Sequence, residues 1–271
     1  MALWPRSRRV TIPLVRLSGA IGISSPLRPG LSLAAIECAL DRAFATKAPC
    51  VALSINSPGG SAAQSSMIYS RIRALADEKE RHVIAFVEDV AASGGYWLAN
   101  AADEIFADAT SIVGSIGVIT ASFGFTELIE KIGIERRVYT AGKNKSILDP
   151  FKPEREDDIA ILKSVQADIH EAFVTAIRER RGPRLSEEPD LFSGQFWSGT
   201  AGIKLGLVDG IGQPRTILRE RYGKKVRIKK VTSPRGFLRG RIGMGFDGGT
   251  LSADALIGAV RTDRLYDRYG L

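Results

Sequence analysis

The chain has 271 residues, of which 44% are hydrophobic and 25% charged, with a formal net charge of +8. That is enough apolar material for a large core, in one domain or one domain with an appendage, at a charge content ordinary for a soluble protein. It contains no run of about 18 apolar residues, which argues against a spanning helix. The two cysteines, Cys38 and Cys50, exclude a disulfide framework or a cysteine zinc site.

The N-terminus, MALWPRSRRV, is basic but runs straight into TIPLVRLSGAIGIS, where Arg16 interrupts the apolar stretch. It reads as a strand and not as a signal-peptide core. The chain is therefore expected to be cytoplasmic. LSLAAIECALDRAFAT has apolar residues at helical spacing, with Cys38 expected to be buried on that helix. CVALSI is an apolar strand opened by Cys50, suited to a sheet covered on both faces. The turn NSPGGS leads into the helix SAAQSSMIYSRIRALADEK, then the strand HVIAFVEDV, the short helix of AASGGYWLANAA and the strand DEIFAD. SIVGSIGVIT is a Gly-interrupted strand region. FTELIEKIG is a helix, IERRVYTAG a strand, and PEREDDIAILKSVQADIHEAFVTAIRERRG a long helix stopped by Gly182-Pro183. FWSGTAGIKLG, LVDGIG and QPRTILRERYG close a pattern of repeated βα units, so an α/β fold is predicted.

Between Arg219 and Arg241 lie ten Lys and Arg residues against the single acid Glu220. Such a run suits an anionic surface or a solvated tail. Residues from 223 onward are expected to form a basic, Gly- and Arg-containing C-terminal extension, loosely attached beyond about residue 231.

The chemistry begins at AASGGYW. Ser93-Gly94-Gly95 after an apolar strand is either a tight strand-to-helix turn or an exposed nucleophile. A Ser-His-Asp triad needs a histidine. Only His82, at a strand start, and His170, in the long helix, are present. A nucleophilic Ser93 would therefore need another base, and lysine serves when burial or cationic neighbours lower its pKa towards about 7–8. TAGKNKSILDPF, ending in an apolar segment, offers Lys143 and Lys145, against the alternative of a surface loop. In INSPGGS, the turn at Pro58-Gly59-Gly60 can present backbone N–H groups to an oxyanion, with Gly94 as a second donor. The plain alternative is a turn into a helix capped by Ser61 or Ser57. Tyr96 and Trp97 are expected to anchor the short helix after Ser93.

Strand-NSPGG-helix, strand-AASGGYW, VGSIGV, YTAGKNKSILDPF and FWSGTAGIKLGLVDGIG, in that order, resemble the signal peptide peptidase A family of Ser-Lys serine proteases. The likeness covers roughly residues 10 to 220. It implies the ClpP/crotonase-like fold, a spiral of β-β-α units with a helical C-terminal part, and a peptidase domain over residues 1–222. Matched block by block, Ser93 is the nucleophile and Lys145 the general base. Ser115 is the hydroxyl that orients the lysine, and Gly59 and Gly94 form the oxyanion hole. The resemblance implies an endopeptidase acting on signal-peptide remnants or unfolded segments, with no cofactor and no metal. It also implies a homo-oligomer in which neighbouring subunits complete the site. Peripheral membrane contact through the basic tail fits this reading, and no nucleic-acid partner is expected. The rival readings are a crotonase-like acyl-CoA enzyme, which does not need a Ser-Lys dyad, and a non-catalytic membrane-associated scaffold.

Overall fold

The computed structural model describes residues 9–23, 30–233 and 265–271. It is a mixed α/β fold on a central sheet. The strands are β1 Thr11–Ser18, β2 Cys50–Ser57, β3 His82–Ala92, β4 Glu104–Ala107, β5 Ile112–Gly114, β6 Phe196–Ser198, β7 Gly210–Ile211 and β8 Arg227–Val231. The helices are α1 Leu33–Phe44, α2 Ala62–Glu78, α3 Gly94–Ala99, α4 Thr126–Lys131, α5 Glu156–Arg181, α6 Gly199–Lys204 and α7 Pro214–Tyr222.

The sheet runs β6-β5-β3-β2-β1-β8, with β4 bridging β3 and β7. All pairings are parallel except β5 with β6. Strand β3 is long enough to take two partners on one side. Ile84 to Val87 pair with β4, and Val90 to Ala92 pair with β5.

The two-residue period of β2 explains its continuous apolar run. Val51, Leu53 and Ile55 enter the larger core with α1, α2, α3 and α5, while Cys50 and Ala52 enter a second core with Phe86, Phe106 and Leu218. Both faces are covered, as the parallel arrangement requires. Helix α1 buries Ile36, Ala39, Leu40, Ala43 and Phe44, one helical stripe. Cys38 lies two residues before Leu40, off that stripe, and is exposed, contrary to expectation. Cys50 is buried as expected.

Three further expectations are corrected. SIVGSIGVIT yields only the three residues of β5, because Gly114 and Ser115 both take positive φ and turn the chain. IERRVYTAG is an exposed, irregular segment: among the described residues it finds no neighbouring strand to share a ladder with. The extension expected from residue 223 begins inside the sheet, since β8 pairs with β1 from Thr11↔Arg227 to Val15↔Val231. Its lysines are those of an edge strand, where charge discourages pairing with other chains. The rest of that extension, 234–264, lies outside the described residues.

Among the described residues no helix is long and apolar enough to cross a membrane. None of their His, Cys, Asp and Glu side chains group to hold a metal.

Candidate active site

The carboxyl ends of β2, β3 and β5 converge at one place, the usual location of a site in a parallel sheet. Ser57 ends β2, Ala92 ends β3, and Gly114 ends β5.

Ser93 stands between β3 and α3 with φ 52° and ψ −124°. A non-glycine residue in this region is strained and needs its surroundings to hold it there. The restraints are visible. The Ser93 N–H donates to the Gly114 carbonyl at 2.8 Å, and its own carbonyl accepts from Tyr96 and Trp97 N–H at 2.9 and 3.1 Å. Tyr96 is fully buried and its hydroxyl donates to the Leu207 carbonyl at 2.8 Å. Burial pushes the Tyr96 phenol up, keeping it neutral. The Trp97 ring stacks on Phe173 of α5 at 4.5 Å and 7°. Tyr96 and Trp97 therefore anchor α3 as expected, and Trp97 also lines the cavity. The Ser93 side chain makes no capping hydrogen bond.

The two glycines after Ser93 are required by close approach. A Cβ on Gly94 would lie 2.3 Å from Ser65 Oγ, and one on Gly95 would lie 2.2 Å from the Ser57 carbonyl oxygen. Only bare backbone lets the first turn of α3 pack so tightly on α2 and the end of β2.

The glycine turn lies directly against Ser93: a Cβ on Gly59 would be 2.8 Å from Ser93 Cβ and 3.0 Å from the Gly94 nitrogen. Ser57 Oγ donates to the Gly19 carbonyl at 2.7 Å and accepts from the Gly59 N–H at 3.3 Å. Gly60 is the glycine of this turn that lines the cavity, together with Gly94. As the first residue of α3, Gly94 has no intrahelical partner for its N–H.

Ser115, also at φ 52°, is 2% exposed. Its N–H donates to the Gln195 carbonyl at 2.7 Å, and its hydroxyl accepts from the Tyr269 hydroxyl at 3.1 Å.

A cavity of about 430 Å3 lies over these groups. Ser93, Gly60, Gly94 and Ser115 form its polar part, and Trp97, Phe173, Ile23 and Ile119 its apolar walls. The structure thus brings Ser93, Gly94 and Ser115 to one cavity, with Gly59 packed beside it.

Lys145 is not at this cavity within the chain. It lies in a turn, exposed, with its N–H on the Gly142 carbonyl at 3.2 Å. The surrounding arm, residues 119–151, exposes Ile119 (70%), Phe123, Leu128, Ile132, Ile134 and Tyr139 (90%). The arm is internally held by Arg136, which pairs with Asp149 at 2.9 Å and sits 5.0 Å over the Phe151 ring. Sequence reasoning missed Tyr269 and Arg268, which reach the cavity from the far end of the chain.

The two histidines take no part at this cavity. His82 contacts Glu104 at 2.7 Å, in a network with Arg221.

Comparison with known proteins gives the same direction. The sequence model of peptidase family S49 matches residues 76–227. The Na(+)/H(+) antiporter NhaA of Brucella abortus is 52% identical over 277 residues, covering 98% of this chain and 38% of that protein. The chloroplastic serine protease SPPA of Arabidopsis thaliana is 34% identical over 213 residues, 75% of this chain and 31% of that protein. Protease 4 of Haemophilus influenzae is 34% identical over 164 residues, 60% of this chain and 26% of that protein. The chain thus spans well under half the length of each of these three relatives.

Proposed function

The chain belongs to peptidase family S49, and from that premise we propose that it is a serine endopeptidase acting through Ser93 and Lys145. The observation that carries the reading is the strained Ser93 at the first turn of α3, flanked by a glycine turn and set at the polar floor of an apolar-walled cavity. The antiporter name of the Brucella relative belongs to a protein of which this chain spans 38%, and transport is not part of the proposal.

In this mechanism neutral Lys145 takes the proton from Ser93 Oγ as that oxygen attacks the peptide carbonyl. The new oxyanion is held by backbone N–H groups, one from Gly94 and one from the Gly59-Gly60 turn. Gly60 supplies the turn's donor while Gly59 remains on Ser57 Oγ. The lysinium then protonates the leaving amine; neutral again, the lysine takes a proton from water as the water attacks the acyl-enzyme carbonyl, and it returns that proton to Ser93 Oγ as the ester bond breaks. The apolar walls favour substrates with apolar side chains, such as signal-peptide remnants or unfolded segments.

A lysine exposed to water is charged at neutral pH and cannot act as a base. We therefore place the working Lys145 in the cavity of a second copy, making the protein a homo-oligomer. The arm supports this: it carries several large exposed apolar residues along with the lysine, and exposed apolar surface of this kind suits an interface. The finer fold reading is the ClpP/crotonase-like spiral, supported by the way β3 passes from β4 to β5. The peptidase unit then extends through β8. The basic residues of that edge, Lys229 and Lys230 with Arg9, Arg42 and Lys47, line a separate cavity of about 600 Å3 and suit peripheral contact with an anionic membrane surface.

The test of the function is a peptide-library digest read by mass spectrometry, with a fluorophosphonate probe in parallel. Wild-type protein cleaves and is labelled at Ser93; Ser93→Ala does neither. Cleavage retained by Ser93→Ala would refute the assignment.

A further inference from the structure

The segment 265–271 returns to the catalytic end of the sheet after the long basic stretch, and its contacts there are specific. Tyr266 Oη donates to the Asn56 carbonyl at 3.3 Å, just before the glycine turn. The Tyr269 ring is 8% exposed and packs with Val90 and Ala92, the end of the strand that delivers Ser93. It meets Phe196 edge-on at 5.2 Å, and Phe196 is the register partner of Gly114. Tyr269 thus touches all three strand ends that carry β3, β5 and β6 to the site. Its hydroxyl donates to Ser115 Oγ at 3.1 Å.

We infer that Tyr269 is a positioning residue of the active site, acting through Ser115 to aim its hydroxyl at the catalytic lysine amine. This rests on the Ser-Lys reading above. A serine hydroxyl has one proton and two lone pairs, and a phenol is the better donor of the two hydroxyls. When Tyr269 donates, one Ser115 lone pair is occupied and the Ser115 proton is left to donate onward. A neutral amine accepts that proton; an ammonium, with donors only, does not. The chain Tyr269–Ser115–amine therefore favours the form of lysine that works as a base, and hydrogen bonds in such a chain reinforce one another. Among the described residues lining the cavity, the charged or titratable side chains are Arg268 and Tyr269. A fixed positive Arg268 acts in the same direction. On the arm that brings Lys145, Lys143 and Asp149 are its nearest charged neighbours in sequence. The last seven residues are thus part of the catalytic apparatus and not an accessory tail.

The test is Tyr269→Phe in the full chain, which keeps the ring and its packing and removes only the donor. The expected result is a kcat about tenfold lower, the size of one hydrogen bond, with KM unchanged. The acid limb of the kcat–pH profile moves to higher pH, because Ser115 is released to accept from the ammonium. Adding Ser115→Ala to Tyr269→Phe gives no loss beyond Ser115→Ala alone, measured as the rate of fluorophosphonate labelling of Ser93. A Tyr269→Phe enzyme with wild-type kcat and an unmoved acid limb would overturn the inference, as would a loss that adds fully to that of Ser115→Ala. Ser93→Ala, run alongside, separates the two levels. If it still hydrolyses peptide the dyad reading fails; if it is inactive while Tyr269→Phe is unaffected, only the role of Tyr269 fails.

Discussion

The amide of Ser93 donates to the carbonyl of Gly114 at 2.8 Å. One hydrogen bond therefore ties the backbone of the proposed nucleophile to the strand end that leads into Ser115. Both adopt φ 52°, so the two hydroxyls are displayed by two adjacent, strained turns.

That strain makes a first prediction. Ser93→Gly relaxes the positive φ and loses no capping bond. It raises stability by about 1 kcal/mol while hydrolysis falls at least about a thousandfold. Thermal unfolding alongside peptide turnover checks both halves.

The glycines after Ser93 fail differently from one another. A methyl at Gly94 meets the Ser65 hydroxyl, and a methyl at Gly95 meets the Ser57 carbonyl. Gly94→Ala is destabilising by about 1–3 kcal/mol, and Ser65→Ala recovers most of that loss by removing the oxygen in the way. Gly95→Ala is not recovered by any side-chain change, because its obstacle is backbone. Denaturant unfolding of the single and double variants measures the coupling.

A third prediction concerns acid stability. The Arg221 guanidinium, with His82 opposite, holds the Glu104 carboxyl down at about 2, from an ordinary value near 4.5. A depressed folded-state value means the stabilisation is fully present above the unfolded pKa and is lost as pH falls through the folded one. Arg221→Leu is thus less stable than wild type at pH 6, and the difference narrows between about pH 4.5 and pH 2. Urea midpoints across that range show it. A difference that widens as pH falls would contradict the pairing.

The arm gives a fourth. Leu128 and Ile132 are exposed within the chain, so replacing both by Asp leaves the fold's stability within about 1 kcal/mol. Assembly and peptidase activity are lost together. Light scattering and a melting curve on the same sample distinguish a failed interface from a failed fold.

Much of this was legible in the sequence. The strand-to-helix step at Ser93 shows in the change from apolar period two to a short helix punctuated by two glycines, and the paired turn at Gly59-Gly60 is equally local. Other parts were not legible, for physical reasons. RIKKV reads as a piece of a basic run, yet it is an edge strand whose place is fixed by β1, more than two hundred residues earlier in the chain. IERRVYTAG has strand composition but, among the described residues, no strand beside it, and composition does not supply a ladder. Tyr269 reaches Ser115 across 154 residues of separation, and no local pattern encodes that contact. Lys145 carries the opposite lesson: its motif marks it, and the single chain leaves it in solvent.

The central claim is that Ser93 of one copy works with Lys145 of another, and complementation tests it most directly. Ser93→Ala and Lys145→Ala are each inactive. Co-expressed and assembled together, they regain about a quarter of wild-type activity, since random mixing in a ring sets an intact Ser93 against a neighbour's intact Lys145 at that fraction of sites. Mixed assemblies that form yet stay inactive would contradict the account and return both residues to a single chain.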